Sequence, residues 1–283
     1  MLRIAVQTKG RLFEETMALL QETGIKFESG KRLLLVPSRN FPLEVLFLRD
    51  DDIPQSVADG VADVGIVGEN EYVEKKKQVL ITKRLGFSKC RLSLAVPKET
   101  VYEGVQWFNG KVIATSYPVI LSDYLAANAV KADIHVITGS VEIAPGIGLA
   151  DAIFDIVSSG STLVTNHLKE VETIMKSEAI LIENPQLTDE KRVILNELLF
   201  RIDAVQLAED KKYVLMNVPT EYIPCIIEVL PGIKSPTILP LAKEGWSSLH
   251  AVIREKDFWE IIGKLRSMGA EDILVVPIEK IIL

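Results

Sequence analysis

Short runs of aliphatic and β-branched residues alternate with stretches whose apolar positions recur every three or four residues. The first run, LRIAVQ (2–7), predicts a buried strand, and RLFEETMALLQETG (11–24) predicts an amphipathic helix closed by Gly24. LEVLFLR (43–49) reads as a strand. DIPQSVADGVAD (52–63) reads as a short helix with Pro54 near its start, where a missing N–H is tolerated. VGIVG (64–68) is a buried strand ending on glycine, and RLSLAVP (91–97) alternates until a proline stops it. This βαβ order predicts an α/β architecture with largely parallel sheets.

A second unit begins near residue 98. KVIATSYP (111–118) predicts a strand and loop, VILSDYLAANAV (119–130) a helix, and ADIHVIT (132–138) a strand. From Ser140 to Val171 the expected order is loop, short helix, strand (LADAIFDIV), loop (SSGST) and helix. EAILIEN (178–184) reads as a return strand, and DEKRVILNELLFRIDAVQLAED (189–210) as a long helix whose charged end makes a linker. The remainder runs strand (KYVLMNVP), helix (TEYIPCIIEVLPG), strand (SPTILPLA), strand (WSSLHAVIR), helix (DFWEIIGKLRSMGA), strand (DILVVPIEK). That βαββαβ order is the ferredoxin-like split unit.

Composition narrows the function classes. A length of 283 residues favours more than one domain. A net charge of -7 argues against general nucleic-acid binding, yet leaves room for a small anion held by local cations and backbone amides. Cys90 and Cys225 are far apart, and His135, His167 and His250 are scattered, so no zinc-type spacing exists. The chain enters a strand at once without a signal-peptide pattern, and no apolar run reaches membrane-spanning length. A cytoplasmic protein with reduced thiols is expected.

The most informative stretch is DIVSSGSTL (155–163), where an apolar strand ends in small hydroxyl residues and a glycine ahead of a helix. Free N–H groups at a helix start carry partial positive charge. Gly160 lets the backbone wrap a ligand, and Ser158, Ser159, Ser161 and Thr162 add hydroxyl donors. This suits a phosphate monoester, while Asp155 suits sugar hydroxyls, so together they point to a ribose 5-phosphate. The alternative is a polar turn with Thr162 as a helix N-cap. The stretch is not a Walker A loop, since no G-K-[ST] follows. Lys9 and Arg11 flank Gly10 where the first strand meets the first helix, and favour an anion unless they are solvated surface charges. Arg49 precedes the acid triplet Asp50–Asp52. That triplet complements a helix N-terminus, holds Arg49, or binds Mg²⁺ through water.

DDDIPQSVADGVADVGIVGEN, CRLSLAVP, NGKVIATSYP, GSVEIAPGIGLADAIFDIVSSGSTL and SPTILPLA, in this order, together resemble the ATP phosphoribosyltransferase family, the first enzyme of histidine biosynthesis, and the resemblance runs from Arg3 to about Glu279. The C-terminal unit makes the chain resemble the long form, which works without a separate synthetase-like subunit.

The resemblance implies a two-lobed catalytic region like that of periplasmic binding proteins, plus the ferredoxin-like domain. Residues 1–97 with a return segment 179–210 would form the first lobe. Residues 98–178 would form the second, and 211–283 the regulatory domain. The family's D-x-V-x-x-G-x-T-L stretch binds the 5-phosphate and ribose of phosphoribosyl pyrophosphate (PRPP). Here it falls on Asp155, Val157, Gly160, Thr162 and Leu163. Lys9, Arg11, Arg49 and Glu142 are expected to line the cleft toward pyrophosphate or ATP. The implied reaction is displacement at the anomeric carbon of PRPP by N1 of the adenine of ATP, with pyrophosphate leaving alongside Mg²⁺. Histidine is the expected inhibitor, with Asn217, Ser235, Thr237 and Asp272 as its candidate site, and these four also suit ordinary turns. A homo-oligomer, dimer or hexamer, is expected. Two other classes compete: a purine-salvage-type phosphoribosyltransferase, which usually has two adjacent acids before its loop, and a solute-binding or sensor protein on the same fold.

Overall fold

The structure is a computed structural model, and it describes residues 1–27, 34–230 and 235–283. By contacts the chain divides into two compact units, 1–18 with 25–194, and 19–24 with 195–283.

The larger unit opens with β1 (Leu2–Gln7), whose Leu2, Ile4, Ala5 and Val6 are fully buried. α1 (Arg11–Glu22) buries Thr16, Leu19 and Leu20, one stripe at helical spacing, and Gly24 ends it with φ +82°. Then follow β2 (Leu35–Pro37), β3 (Leu43–Leu48), α2 (Ile53–Ala58), β4 (Val64–Gly68), α3 (Glu69–Lys75) and β5 (Leu80–Arg84). The acid triplet Asp50–Asp52 forms a 3₁₀ turn leading into α2, which stops before Gly60 at φ +73°. β6 (Cys90–Pro97), β7 (Val112–Thr115), α4 (Pro118–Ala127), β8 (Asp133–Val136) and β9 (Ala152–Val157) come next. α5 (Ser161–Thr165), β10 (Leu168–Ser177) and β11 (Ala179–Glu183) follow, and α6 (Asp189–Ala208) starts in this unit and belongs to the smaller one from Leu195 on.

Among the described residues these strands make two sheets, ordered β2-β3-β1-β4-β11-β5 and β10-β6-β9-β7-β8. β3, β1 and β4 run parallel, as do β9, β7 and β8, but β2, β5, β6, β10 and β11 pair antiparallel. The sheets are therefore mixed, not largely parallel. The chain passes from the first sheet to the second after β5 and returns between β10 and β11, and the crossing strands enter in the opposite sense. β6 is hydrogen-bonded into the second sheet, so that sheet begins at Cys90, ahead of the expected boundary after residue 97. The helix expected after the loop is only the five residues of α5. His167 takes φ +53°, which breaks it, and LKEVETIMKS becomes the edge strand β10. No helix among the described residues is long and apolar enough to cross a membrane.

The smaller unit contains β12 (Lys211–Pro219), α7 (Ile223–Val229), β13 (Thr237–Pro240), β14 (Trp246–Arg254), α8 (Glu255–Ser267) and β15 (Glu271–Pro277). Its antiparallel order β13-β14-β12-β15 is the ferredoxin-like arrangement the sequence predicts. Strict alternation puts Val214, Met216, Val218, Leu249, Ala251 and Ile253 against Ile226, Phe258 and Leu265 of the helices. The expected end of α7 at Pro231–Gly232 lies outside the described residues.

Candidate active site

The loop after β9 is anchored at both apolar ends. Val157 and Leu163 are buried in a cluster with Ala95, Ala114, Val141, Ala144, Ile153 and Leu168. Between them Ser158, Ser159, Ser161 and Thr162 are exposed. Gly160 makes the turn with φ +82° and ψ -1°, a conformation a side chain would strain. Gly160 is the N-cap of α5, with no side-chain cap, and Thr162 is the helix's second residue, so the N-cap alternative for Thr162 does not hold. The first amides of α5 have no intrahelical acceptor. Ser159 and Ser161 pair their hydroxyls at 2.9 Å.

Two arginines reach this loop. Arg11 donates from Nη1 to Ser158 Oγ at 3.0 Å and from Nη2 to the Lys89 carbonyl at 3.0 Å. Arg91 donates from Nη1 to the Ser158 carbonyl at 3.1 Å. Lys9 is exposed and has no ionic partner among the described residues. Arg49 is exposed and pairs with Asp51, Nε to Oδ1 at 3.3 Å, an ion pair without hydrogen-bond alignment. Of the proposed roles for the acid triplet, holding Arg49 is therefore the one seen.

Asp155 is half-buried at the end of β9 and accepts a hydrogen bond from the Ile156 N–H at 2.8 Å. Burial pushes its carboxyl up to about 6; the Ile156 N–H opposes this, and the charge of Glu142, on a 3₁₀ turn at Val141–Ile143, adds to it. The structure thus brings Arg11 to the loop and Glu142 to Asp155. Among the described residues, no hydrogen bond or ion pair joins Lys9 or Arg49 to either.

The sequence reading missed a buried polar network beside Asp155. Asn70, Glu71 and Tyr117 are each nearly inaccessible. Asn70 Nδ2 donates to Tyr117 Oη at 3.2 Å and to Glu71 Oε1 at 3.3 Å, and Ser177 Oγ donates to Asn70 Oδ1 at 2.8 Å. Burial, then the charge of Asp50, pushes Glu71 up to about 7. Tyr117 is driven far above the ordinary phenol range by burial and by the charges of Glu71 and Asp155. Glu74 on α3 accepts from the amides of Val119 and Ile120 at 2.9 and 3.0 Å, capping α4. Asn70 and Tyr117 lie inside quoted motifs, but nothing local marks them as partners.

In the ferredoxin-like unit, Asn217 Nδ2 donates to Asp272 Oδ2 at 3.0 Å, and Asp272 holds φ +48°. Thr237 pairs with His250 across β13 and β14, and Ser235 is exposed just before β13. His250 also meets Tyr213 Oη at 2.8 Å and Ser248 Oγ at 3.0 Å. The structure joins Asn217 to Asp272 and sets Thr237 on the far side of β14.

Known proteins agree with this architecture. The family model described as ATP phosphoribosyltransferase matches residues 49–204, and the one described as HisG, C-terminal domain matches 208–280. An ATP phosphoribosyltransferase of Phocaeicola vulgatus is 72% identical over 100% of both chains. One from Cytophaga hutchinsonii is 62% identical over 99% of this chain and 98% of its own. Among solved structures, the ATP phosphoribosyl transferase (HisG:HisZ) complex from Thermotoga maritima matches at TM-score 0.62 and 30% identity, covering 71% of this chain and 96% of that one. A substrate-binding protein of an amino acid ABC transporter matches at TM-score 0.50 and 12% identity over 74% of this chain and 94% of its own, a likeness of fold alone. Scaffold and matches together define a phosphoribosyltransferase, one of the glycosyltransferases, on a fold shared with that transporter substrate-binding protein. The chain belongs to the ATP phosphoribosyltransferase family. It is an enzyme acting on ATP and PRPP at the first step of histidine biosynthesis.

Proposed function

We propose that the loop from Ser158 to Leu163 holds the 5-phosphate of PRPP and that Asp155 accepts hydrogen bonds from its ribose hydroxyls. The observation that carries this is the loop itself: two buried apolar anchors, a left-handed glycine, exposed hydroxyls and an arginine already on Ser158. Arg11 faces the same anion, and Lys9, Arg49 and Glu142 line the approach of pyrophosphate or ATP. In this reading the segments that build the first sheet, 1–89 and 179–194, and those that build the second, 90–178, act as the two catalytic lobes.

N1 of the ATP adenine displaces pyrophosphate from the anomeric carbon. N1 carries a lone pair, so the attack requires no strong base. Positive charge develops on the ribose ring in the transition state, as in other glycosyl substitutions. The Asp155 carboxylate, fixed by the Ile156 N–H, stabilises that charge in place. Binding both substrates in line provides the rest through positioning. Among the described residues no group of His, Cys, Asp or Glu is arranged to hold a metal ion. Mg²⁺ carried by the pyrophosphate of PRPP would supply charge neutralisation for the leaving group.

Residues 211–283 sense histidine at a site drawn from Asn217, Ser235, Thr237 and Asp272. Support comes from the match of the HisG, C-terminal domain and from the Asn217–Asp272 hydrogen bond, which sets an amide beside an acid. The same domain favours the long form, working as a homo-oligomer, dimer or hexamer, in the cytoplasm.

The test of the loop is Thr162→Val, which keeps shape and removes a donor. Loss of one hydrogen bond to a charged group costs about 1.5–3 kcal/mol, roughly ten- to a hundred-fold in kcat/KM for PRPP. Unchanged steady-state constants for PRPP would refute the assignment.

A further inference from the structure

Arg91, which has no assigned role in binding PRPP or ATP, is the centre of a polar cluster beside the loop. It lies on β6, paired with Val157 on β9 and Lys176 on β10, so its side chain leaves the sheet where the loop begins. Glu170 takes two of its N–H groups, Nε to Oε1 at 2.6 Å and Nη2 to Oε2 at 2.5 Å. Ser93 and Thr173 donate their hydroxyls to Glu170 Oε1 at 2.7 and 3.0 Å. Ser93 is buried, and the register of β10 on β6 shifts twice here, between Glu170 and Glu172, inside the cluster, and between Thr173 and Met175, just after it. Such bulges re-aim side chains, and here the first brings residues 170 and 173 to one point. The carboxylate is thus held by three partners, and Arg91 holds it down to about 2.

The remaining guanidinium nitrogen, Nη1, donates to the Ser158 carbonyl at 3.1 Å. A trans peptide unit is planar, and its C=O and N–H point in opposite directions. Fixing the Ser158 carbonyl on Arg91 therefore turns the Ser159 N–H away from Arg91. Arg11 meanwhile holds the Ser158 hydroxyl at 3.0 Å.

We propose that Arg91, locked by Glu170, is a positioning residue for the phosphoryl end of PRPP: it fixes the Ser158–Ser159 peptide so that the Ser159 N–H is set for the 5-phosphate before the substrate arrives. This rests on the assignment of the loop to the 5-phosphate. Arginine is suited to the role, because its planar fork binds a carboxylate with two nitrogens and keeps a third donor free. Lysine cannot do both.

The experiment compares Arg91→Lys, Glu170→Gln and Thr162→Val in the full chain. Steady-state constants are measured for both substrates, with ribose 5-phosphate and pyrophosphate as separate inhibitors against PRPP. Arg91→Lys is expected to raise KM for PRPP and the inhibition constant of ribose 5-phosphate about tenfold, the scale of one charged hydrogen bond. KM for ATP and inhibition by pyrophosphate should change less than about twofold, the difference expected of a contact not made. Glu170→Gln should move the same two constants in the same direction by less. If Thr162→Val weakens ribose 5-phosphate while Arg91→Lys does not, the positioning role falls and the loop assignment stands. If neither variant affects ribose 5-phosphate, the loop assignment falls and takes this proposal with it. Equal losses toward ATP, pyrophosphate and ribose 5-phosphate in Arg91→Lys, with a lowered melting temperature, would make Arg91 merely structural and overturn the proposal.

Discussion

Arg11 Nη1 stands 3.0 Å from Ser158 Oγ, a hydrogen bond between residues 147 apart in the chain. It joins the first residue of α1, beside the first sheet, to the loop that ends β9 in the second. The same guanidinium holds the Lys89 carbonyl, so Arg11 is oriented before any ligand binds.

Arg11→Ala therefore removes a cation, the donor to Ser158 in the loop and the donor to Lys89 that orients it. Kcat/KM for PRPP should fall roughly ten- to a hundred-fold, with a smaller loss for ATP. Arg11→Lys should recover only part, because an ammonium lacks the fork that spans Ser158 and Lys89. Initial rates across both substrate concentrations check this, and a larger effect on ATP than on PRPP would reassign Arg11.

Asp155 predicts an acid limb in the pH profile. Its carboxyl is raised to about 6, and the proposed role requires the ionised form. Kcat/KM for PRPP should fall as pH drops below about 6. The substrate's 5-phosphate also titrates near pH 6, so the control is Asp155→Asn. Whatever limb survives in that variant belongs to the substrate, and an unaltered profile would remove Asp155 from the mechanism.

Glu71 predicts the opposite trade in stability. Its pKa is raised from 4.5 to about 7, so the folded state binds the proton more tightly than the unfolded chain. The stabilisation is fully present below about 4.5 and is lost as pH rises through about 7. Above that, a buried carboxylate is held against the charges of Asp50 and Asp51. Glu71→Gln should therefore stabilise the protein at pH 8 by on the order of 2 kcal/mol, with the gain shrinking toward pH 5. Urea unfolding at the two pH values measures it. A variant less stable at pH 8 would show that Glu71 is ionised and satisfied.

Histidine inhibition is testable at Thr237 and Asp272. Thr237→Val and Asp272→Asn should each raise the half-inhibiting histidine concentration about tenfold, normalised to each variant's uninhibited rate. The proposed effector residues and the loop fall in different compact units, so the inhibition is expected to be allosteric. Direct competition of histidine with PRPP, unaltered in both variants, would contradict the site.

Much of the local structure was legible because it is encoded locally. The two-residue alternation of WSSLHAVIR became β14, and the three-to-four-residue stripe of RLFEETMALL became α1. LKEVETIMKS was not legible. Its charges at Lys169, Glu170 and Glu172 suit a helix as well as an edge strand, and its pairing with β6 decides between them. In the site, Gly160 and its hydroxyl neighbours announce a loop by residue type alone. Arg91 and Tyr117 carry no such sign, since their roles depend on Glu170 and Asn70, which are distant in the chain.

Residue order alone encodes the alternation of strands and helices, the βαββαβ order of the last unit, and a serine–glycine–threonine loop at a strand end. Each follows from side-chain periodicity or from the backbone freedom of a few adjacent residues. The placement of β6 in the second sheet, the mixed character of both sheets, and the convergence of Arg11 and Arg91 on Ser158 emerge only when the chain is folded. Those outcomes depend on which strand edges and side chains meet across tens of residues. An alternating run carries no mark of its partner, because one face of apolar residues packs as well against many others until the whole chain is placed.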